Sequence, residues 1–142
     1  MAIVIIVDTN VLIGALIGKQ YSANRRLIEL CLLRKFQPLI NDTLFLEYEA
    51  VFNRQEIIDK SPYSIQESKE LFSAFLIVCQ WTKIYYSWRP NLVDENDNYL
   101  IELAVAGNAG IIVTNNTKDF KQSELKFPQI QIKQPKEVIW LP

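Results

Sequence analysis

The chain has 142 residues, 49% of them hydrophobic and 22% charged, a globular composition that suits one domain and excludes a disordered segment. With 15 basic and 16 acidic side chains the net charge is −1, which excludes a nucleic-acid binder working by bulk positive charge alone. The histidine count is 0, so Ser-His-Asp and Cys-His devices, histidine-ligated zinc and paired-histidine nucleases are excluded too. Any catalysis must run on carboxylates, amides, hydroxyls, lysines or a bound metal.

Residues 3–7 (IVIIV) form a short β-branched run, apolar on every side, as in a strand covered on both faces of a parallel sheet. The run ends at Asp8, and a helix is expected from near Thr9 to Ile17. Asp8, Thr9 and Asn10 interrupt the apolar opening, and an aspartate at mid-membrane costs about 2.5 kcal/mol or more, so this segment reads as core and not as a membrane anchor. Ser22 precedes a helical stripe over residues 23–35. Residues 36–40 read as a second strand, and Asn41 or Asp42 caps a helix running to about Asn53.

Residues 54–64 and 87–94 read as loops, and Ser64 with Glu67 forms a capping box opening a helix through Cys79. Residues 81–87 have strand composition, and Trp81, Tyr85, Tyr86 and Trp88 there are either base-stacking groups or half-buried strand residues. Asp94 with Asp97 opens a helix from about Glu95 that glycine closes at Gly107. Residues 110–114 (GIIVT) form a buried strand, the polar turn NNTKD follows, residues 130–133 are a last strand, and Pro135 starts a final turn. This alternation predicts an α/β fold with a central, mostly parallel sheet and helices on both sides. Cys31 and Cys79 lack CxxC spacing and read as buried thiols of a reducing cytoplasm.

In an open parallel sheet, ligands gather beyond the carboxyl ends of the strands. Asp8 follows the first strand there, Glu47 lies early in the helix after the second, Asp97 in the first turn of a later helix, and Asp119 just past GIIVT. Such carboxylates repel one another, and a divalent cation offsets that repulsion. Mg²⁺ and Mn²⁺ take hard oxygen ligands and need no histidine. An ion of this kind suits hydrolysis of a phosphodiester.

Val7–Ile13 (VDTNVLI), Leu46–Arg54 (LEYEAVFNR), Asp94–Ala109 (DENDNYLIELAVAGNA) and Val113–Phe120 (VTNNTKDF) resemble, in order and spacing, the successive blocks of a PIN domain. The similarity is greatest to bacterial toxin–antitoxin PIN proteins, the VapC-like ribonucleases. The resemblance covers nearly the whole chain and implies one domain over residues 1–142, a three-layer fold with a five-stranded sheet. It implies a single-stranded RNA endonuclease using Mg²⁺ or Mn²⁺, with Asp8, Glu47, Asp97 and Asp119 as catalytic and metal-binding acids. Thr9, Asn10, Asp94, Thr114 and Asn116 would support them. It also implies a cognate antitoxin, a homodimer and a cytoplasmic location. Asn116 stands where many relatives carry an aspartate, which leaves one fewer negative charge.

Each of these residues also has a structural role open to it. Asp8 suits a helix N-cap, Asp94 and Asp97 a reciprocal cap, Asp119 an Asx-turn, and Asn116 a turn position. Glu47 and Glu49 differ by about 200° around a helix, so only one faces the site; Glu47 is expected on the buried side with Leu44 and Val51. Removing the four acids from 16 leaves 12 against 15 basic residues, and Arg25, Arg26, Arg34, Lys35 and Arg54 are candidate phosphate contacts. Lys118, beside the site in sequence, is the stronger single candidate. A non-catalytic module of the same fold, binding RNA or protein, is the rival from another class. An aspartyl-phosphate phosphatase would need a second aspartate where Asn10 stands, and no glycine-rich phosphate loop is present.

Overall fold

The computed structural model describes residues 2–18, 22–83, 98–120 and 127–141. The elements are β1 (Ile3–Val7), α1 (Thr9–Ile17), α2 (Ala23–Leu32), β2 (Phe36–Ile40), α3 (Asp42–Phe52), α4 (Gln55–Lys60) and α5 (Ile65–Val78). They continue with β3 (Gln80–Trp81), α6 (Asn98–Gly107), β4 (Ile111–Val113), a 3₁₀ turn (Thr117–Phe120), β5 (Gln131–Lys133) and α7 (Pro135–Val138). The five strands lie in the order β3-β2-β1-β4-β5, and every pair is parallel. All the carboxyl ends therefore open on one edge, with β1 in the middle.

The apolar run of β1 is explained by its position, since Ile5, Ile6 and Val7 are fully enclosed between helical layers. Leu12, Leu27, Ile28, Leu39, Phe75, Leu103 and Ile112 join them in one continuous core. Gly107 allows α6 to approach β2, because a Cβ there would stand 2.2 Å from Leu39 Cδ1. No described helix is long and apolar enough to cross a membrane.

Several expected boundaries shift. The α2 helix stops at Leu32, not Lys35, because Arg34 takes a left-handed conformation (φ 63°) that turns the chain into β2. Gly107 does not close α6 by a left-handed turn; Asn108 does (φ 57°), and the glycine serves the close approach to Leu39. Of the two capping candidates for α3, Asn41 is the cap, its Oδ1 accepting from Leu44 N at 2.8 Å.

The stretch read as a loop after Arg54 contains α4, which has no side-chain cap to announce it. Its far end is tied down where Ser61 donates its hydroxyl to the Leu16 carbonyl at 2.7 Å. The strand expected over 81–87 begins one residue early and ends at Trp81. Thr82 donates its N–H to Ile40 O at 2.8 Å without extending it, and residues 84–87, with Tyr85 and Tyr86, lie outside the described residues, as does Trp88. Trp81 itself is half exposed and packs its ring against Phe45 at 5.7 Å.

Candidate active site

The parallel register places Val7 beside Val113, so the residues following β1 and β4 emerge as neighbours. Asp8 donates its N–H to Val113 O at 2.9 Å, extending the ladder one step. Its side chain then caps α1, Oδ1 accepting from Thr9 N at 2.7 Å. The other oxygen, Oδ2, accepts from the Thr114 hydroxyl at 2.8 Å and from Asn10 Nδ2 at 3.3 Å. Thr114 is fully buried and Asp8 is 8% exposed, so these donors fix a carboxyl group inside the protein.

A network of amides surrounds that carboxyl. Asn10 Nδ2 also reaches Thr114 Oγ1 at 3.2 Å, and its Oδ1 accepts from Asn115 N at 2.9 Å. Asn115 in turn donates to Asn24 Oδ1 on α2 at 3.0 Å. Asn116 donates its N–H to Thr114 Oγ1 at 3.0 Å and its side-chain amide to Asp119. Behind β1, Tyr48 is wholly buried and donates its hydroxyl to the Val7 carbonyl, anchoring α3 to the strand end that precedes Asp8.

A cleft of about 390 Å³ opens here, lined by Asp8, Thr9, Asn10, Ile13, Glu47, Val51, Arg54, Tyr99, Asn116 and Asp119. Burial raises the pKa of the Asp8 carboxyl from its ordinary value. The Thr114 and Thr9 hydrogen bonds oppose that rise, and the charges of Asp119 and Glu47 add to it. Three separate elements thus bring negative charge to one opening.

A family model for the PIN domain matches residues 4–118. The chain belongs to the PIN domain family. Among solved structures, a chain of VapBC2 from Rickettsia felis, crystallised bound to a DNA fragment from its promoter, has the same fold. That match has a TM-score of 0.57 at 18% identity and covers 93% of this chain and 98% of the other. No curated protein matches it in sequence.

In this PIN domain the structure gathers Asp8, Glu47, Asp119, Thr9, Asn10 and Asn116 around the cleft, with Thr114 directly behind Asp8. Asp8 is both helix cap and cleft residue, so its two readings coexist. Asp94 and Asp97 lie outside the described residues. Glu47 lines the cleft together with Val51, one turn on, as expected, but it is exposed where Leu44, Tyr48 and Val51 are buried. Lys118 is exposed on the 3₁₀ turn and is not part of the cleft wall, where Arg54 stands instead.

Tyr99 and Tyr48 carried no role in the sequence. The signal for Arg54 was present, because Glu47, Val51 and Arg54 follow one another at helical spacing of four and three. Tyr48 was harder to find, as its partner Val7 is 41 residues away.

The donor set fits a divalent ion of the Mg²⁺ class in kind. Asp8, Glu47 and Asp119 offer only carboxylate oxygens, and Asn10 and Asn116 only amides. The raised pKa of Asp8 marks a place where added positive charge is favourable. Among the described residues no three carboxylate or cysteine side chains converge tightly enough to form an ion site by themselves.

Proposed function

We propose that this PIN domain, acting as one unit over residues 1–142, is a metal-dependent endoribonuclease. Its substrate is single-stranded RNA, and it serves as the toxin of a toxin–antitoxin pair. The observation that carries this reading is the buried Asp8 carboxyl facing a cleft to which Glu47 and Asp119 add charge of the same sign. A cleft of that kind suits a cation and the phosphodiester it would bind.

Asp8, Glu47 and Asp119, with Asp97 as the fourth acid of the sequence blocks, would hold Mg²⁺ or Mn²⁺. When bound, the ion would supply activation of a water and stabilisation of charge on the leaving oxygen. The chain's own side chains set the geometry. Thr114, from the core, and Asn10, from the cleft wall, donate to Asp8 Oδ2 and fix the carboxyl at the cleft. Asn116 holds Asp119 in the same way from the neighbouring turn, and Thr9 fixes the other Asp8 oxygen through its N–H. Hydrolysis forms one P–O bond to water and breaks one P–O ester bond, releasing a phosphate monoester and a hydroxyl.

The likeness to a VapBC2 chain supports an antitoxin as protein partner. A homodimer and a cytoplasmic location complete the reading, in keeping with its unpaired buried cysteines.

The test is cleavage of a panel of single-stranded and structured RNAs with Mg²⁺ or Mn²⁺, beside an EDTA control and an Asp8→Asn, Asp97→Asn double variant. Metal-dependent cutting that disappears in the variant is expected. A folded wild type that neither cuts the panel nor binds the metals by titration would overturn the nuclease reading in favour of a non-catalytic binding module.

A further inference from the structure

A cleft lined by carboxylates repels the polyanion it is meant to hold, even when one ion compensates part of the charge. The wall must therefore provide a fixed cation of its own for the phosphate chain. Among the described residues that line the cleft, Arg54 is the one basic side chain. Arg25 lies over the Tyr63 ring at 4.1 Å, and Lys118 is outside the cleft wall.

The backbone around Arg54 is well held. Its N–H donates to Val51 O at 3.1 Å, and its carbonyl accepts from Ile57 N at 3.0 Å and Ile58 N at 3.1 Å. Its side chain, by contrast, makes no capping hydrogen bond to α4. Glu47 and Arg54 thus border one cleft from a single stretch of chain two helical turns long, with Val51 between them. A guanidinium there offers a planar fork suited to two oxygens of one phosphate.

We propose that Arg54 grips a backbone phosphate of the bound polynucleotide and positions the phosphodiester against the face formed by Asp8, Glu47 and Asp119. This assignment rests on the nuclease reading above and adds the residue that binds substrate.

The experiment compares wild type, Arg54→Gln, Arg54→Lys and Lys118→Gln, each checked for unchanged thermal unfolding. Binding of a fluorescein-labelled single-stranded RNA of mixed sequence is followed by anisotropy in Ca²⁺ over a range of NaCl. For Arg54→Gln, binding weakens about tenfold, and the slope of log K against log salt falls by about 0.7, one phosphate contact's share. Lys118→Gln leaves the slope at the wild-type value. Arg54→Lys keeps the slope, since charge is retained, but lowers kcat with Mn²⁺ by about tenfold because the fork is lost.

Arg54→Gln with wild-type slope and kcat/KM, in a protein that binds and cuts RNA, overturns the proposal and leaves the nuclease reading standing. If Arg54→Gln fails to fold, Arg54→Lys decides, and cutting at the wild-type rate overturns the bidentate grip. Wild type that neither binds nor cuts RNA removes the nuclease reading and this assignment together.

Discussion

Thr114 donates its hydroxyl to Asp8 Oδ2 at 2.8 Å, joining the ends of two adjacent parallel strands across 106 residues of sequence. The same oxygen of Thr114 receives the Asn10 amide and the Asn116 N–H. One buried hydroxyl therefore organises the turn after β1 and the turn after β4 at once. Replacing Thr114 with valine keeps the shape and removes the donor, leaving a buried carboxylate short of one hydrogen bond. Urea unfolding at pH 7 should show a loss of about 1.5–3 kcal/mol. A change within about 0.5 kcal/mol, the range of an ordinary surface substitution, would contradict that role.

The pH dependence of the metal-free protein follows from Asp8. Burial raises its carboxyl in the folded state, so the folded protein holds that proton more tightly than the unfolded chain does. Its contribution is fully present below the ordinary carboxylate range and is lost as pH rises through the raised value. In metal-free buffer the stability of wild type relative to Asp8→Asn should therefore improve as pH falls from 7 toward 4. Paired urea titrations at several pH values measure this directly. A constant difference between the two proteins would mean that Asp8 is not held up by its surroundings.

On the proposed function, a divalent ion held by Asp8 would compete with that proton. Adding Mn²⁺ at about a hundred times its dissociation constant should stabilise the protein by about 2.7 kcal/mol at pH 7. The gain should shrink as the pH is lowered and Asp8 takes up its proton. Thermal unfolding with and without the ion, at pH 7 and pH 5, provides the comparison. Equal stabilisation at both pH values would place the ion elsewhere.

Glu47 and Glu49 offer an internal control on α3. Both are exposed, but only Glu47 lines the cleft. Glu47→Gln should lower kcat/KM for RNA by about a hundredfold, on the scale of losing one stabilising group at a reaction centre. Glu49→Gln should leave it near wild type. Equal losses in the two variants would argue against a specific place for Glu47.

The cysteines report on packing and not on chemistry. Burial pushes the Cys31 thiol up to about 12 and raises Cys79 as well, so little thiolate forms at neutral pH. Both should react with a thiol reagent such as DTNB only as the chain unfolds. The labelling rate should then follow the unfolded fraction as urea is added. Rapid labelling of the native protein would show that one of the two is open to solvent.

Much of this was legible in the residues because it depends on local chemistry. The all-apolar β1 followed by Asp8, the Asn41 cap and the Ser64–Glu67 capping box each lie within a few positions of their partners. The block from Val113 to Phe120 carried Asp119 and Asn116 together for the same reason. The α4 helix was not legible, since its six residues begin without a capping side chain and are held by contacts with distant elements. Helical periodicity picked Glu47 over Glu49 for the side that lines the cleft, but it placed Glu47 in the interior because it does not say that this side borders an open cleft. Arg54 was one of five basic residues that the sequence offered as phosphate contacts, and only the fold singled it out by bringing its turn alongside Asp8 and Asp119.

The Tyr48 hydroxyl on the Val7 carbonyl and the Thr114 hydroxyl on Asp8 lie inside the core, whereas Glu47, Arg54 and Asn116 stand at the solvent side of the same cleft. Substitutions therefore divide the opening into two zones with different consequences. Changes at its floor pass first through folding, because every group there also holds strands or helices in register. Changes around the mouth leave the sheet untouched and act directly on what the opening binds and cuts. A domain built this way can lose activity at Glu47 or change its grip at Arg54 while its fold stays intact.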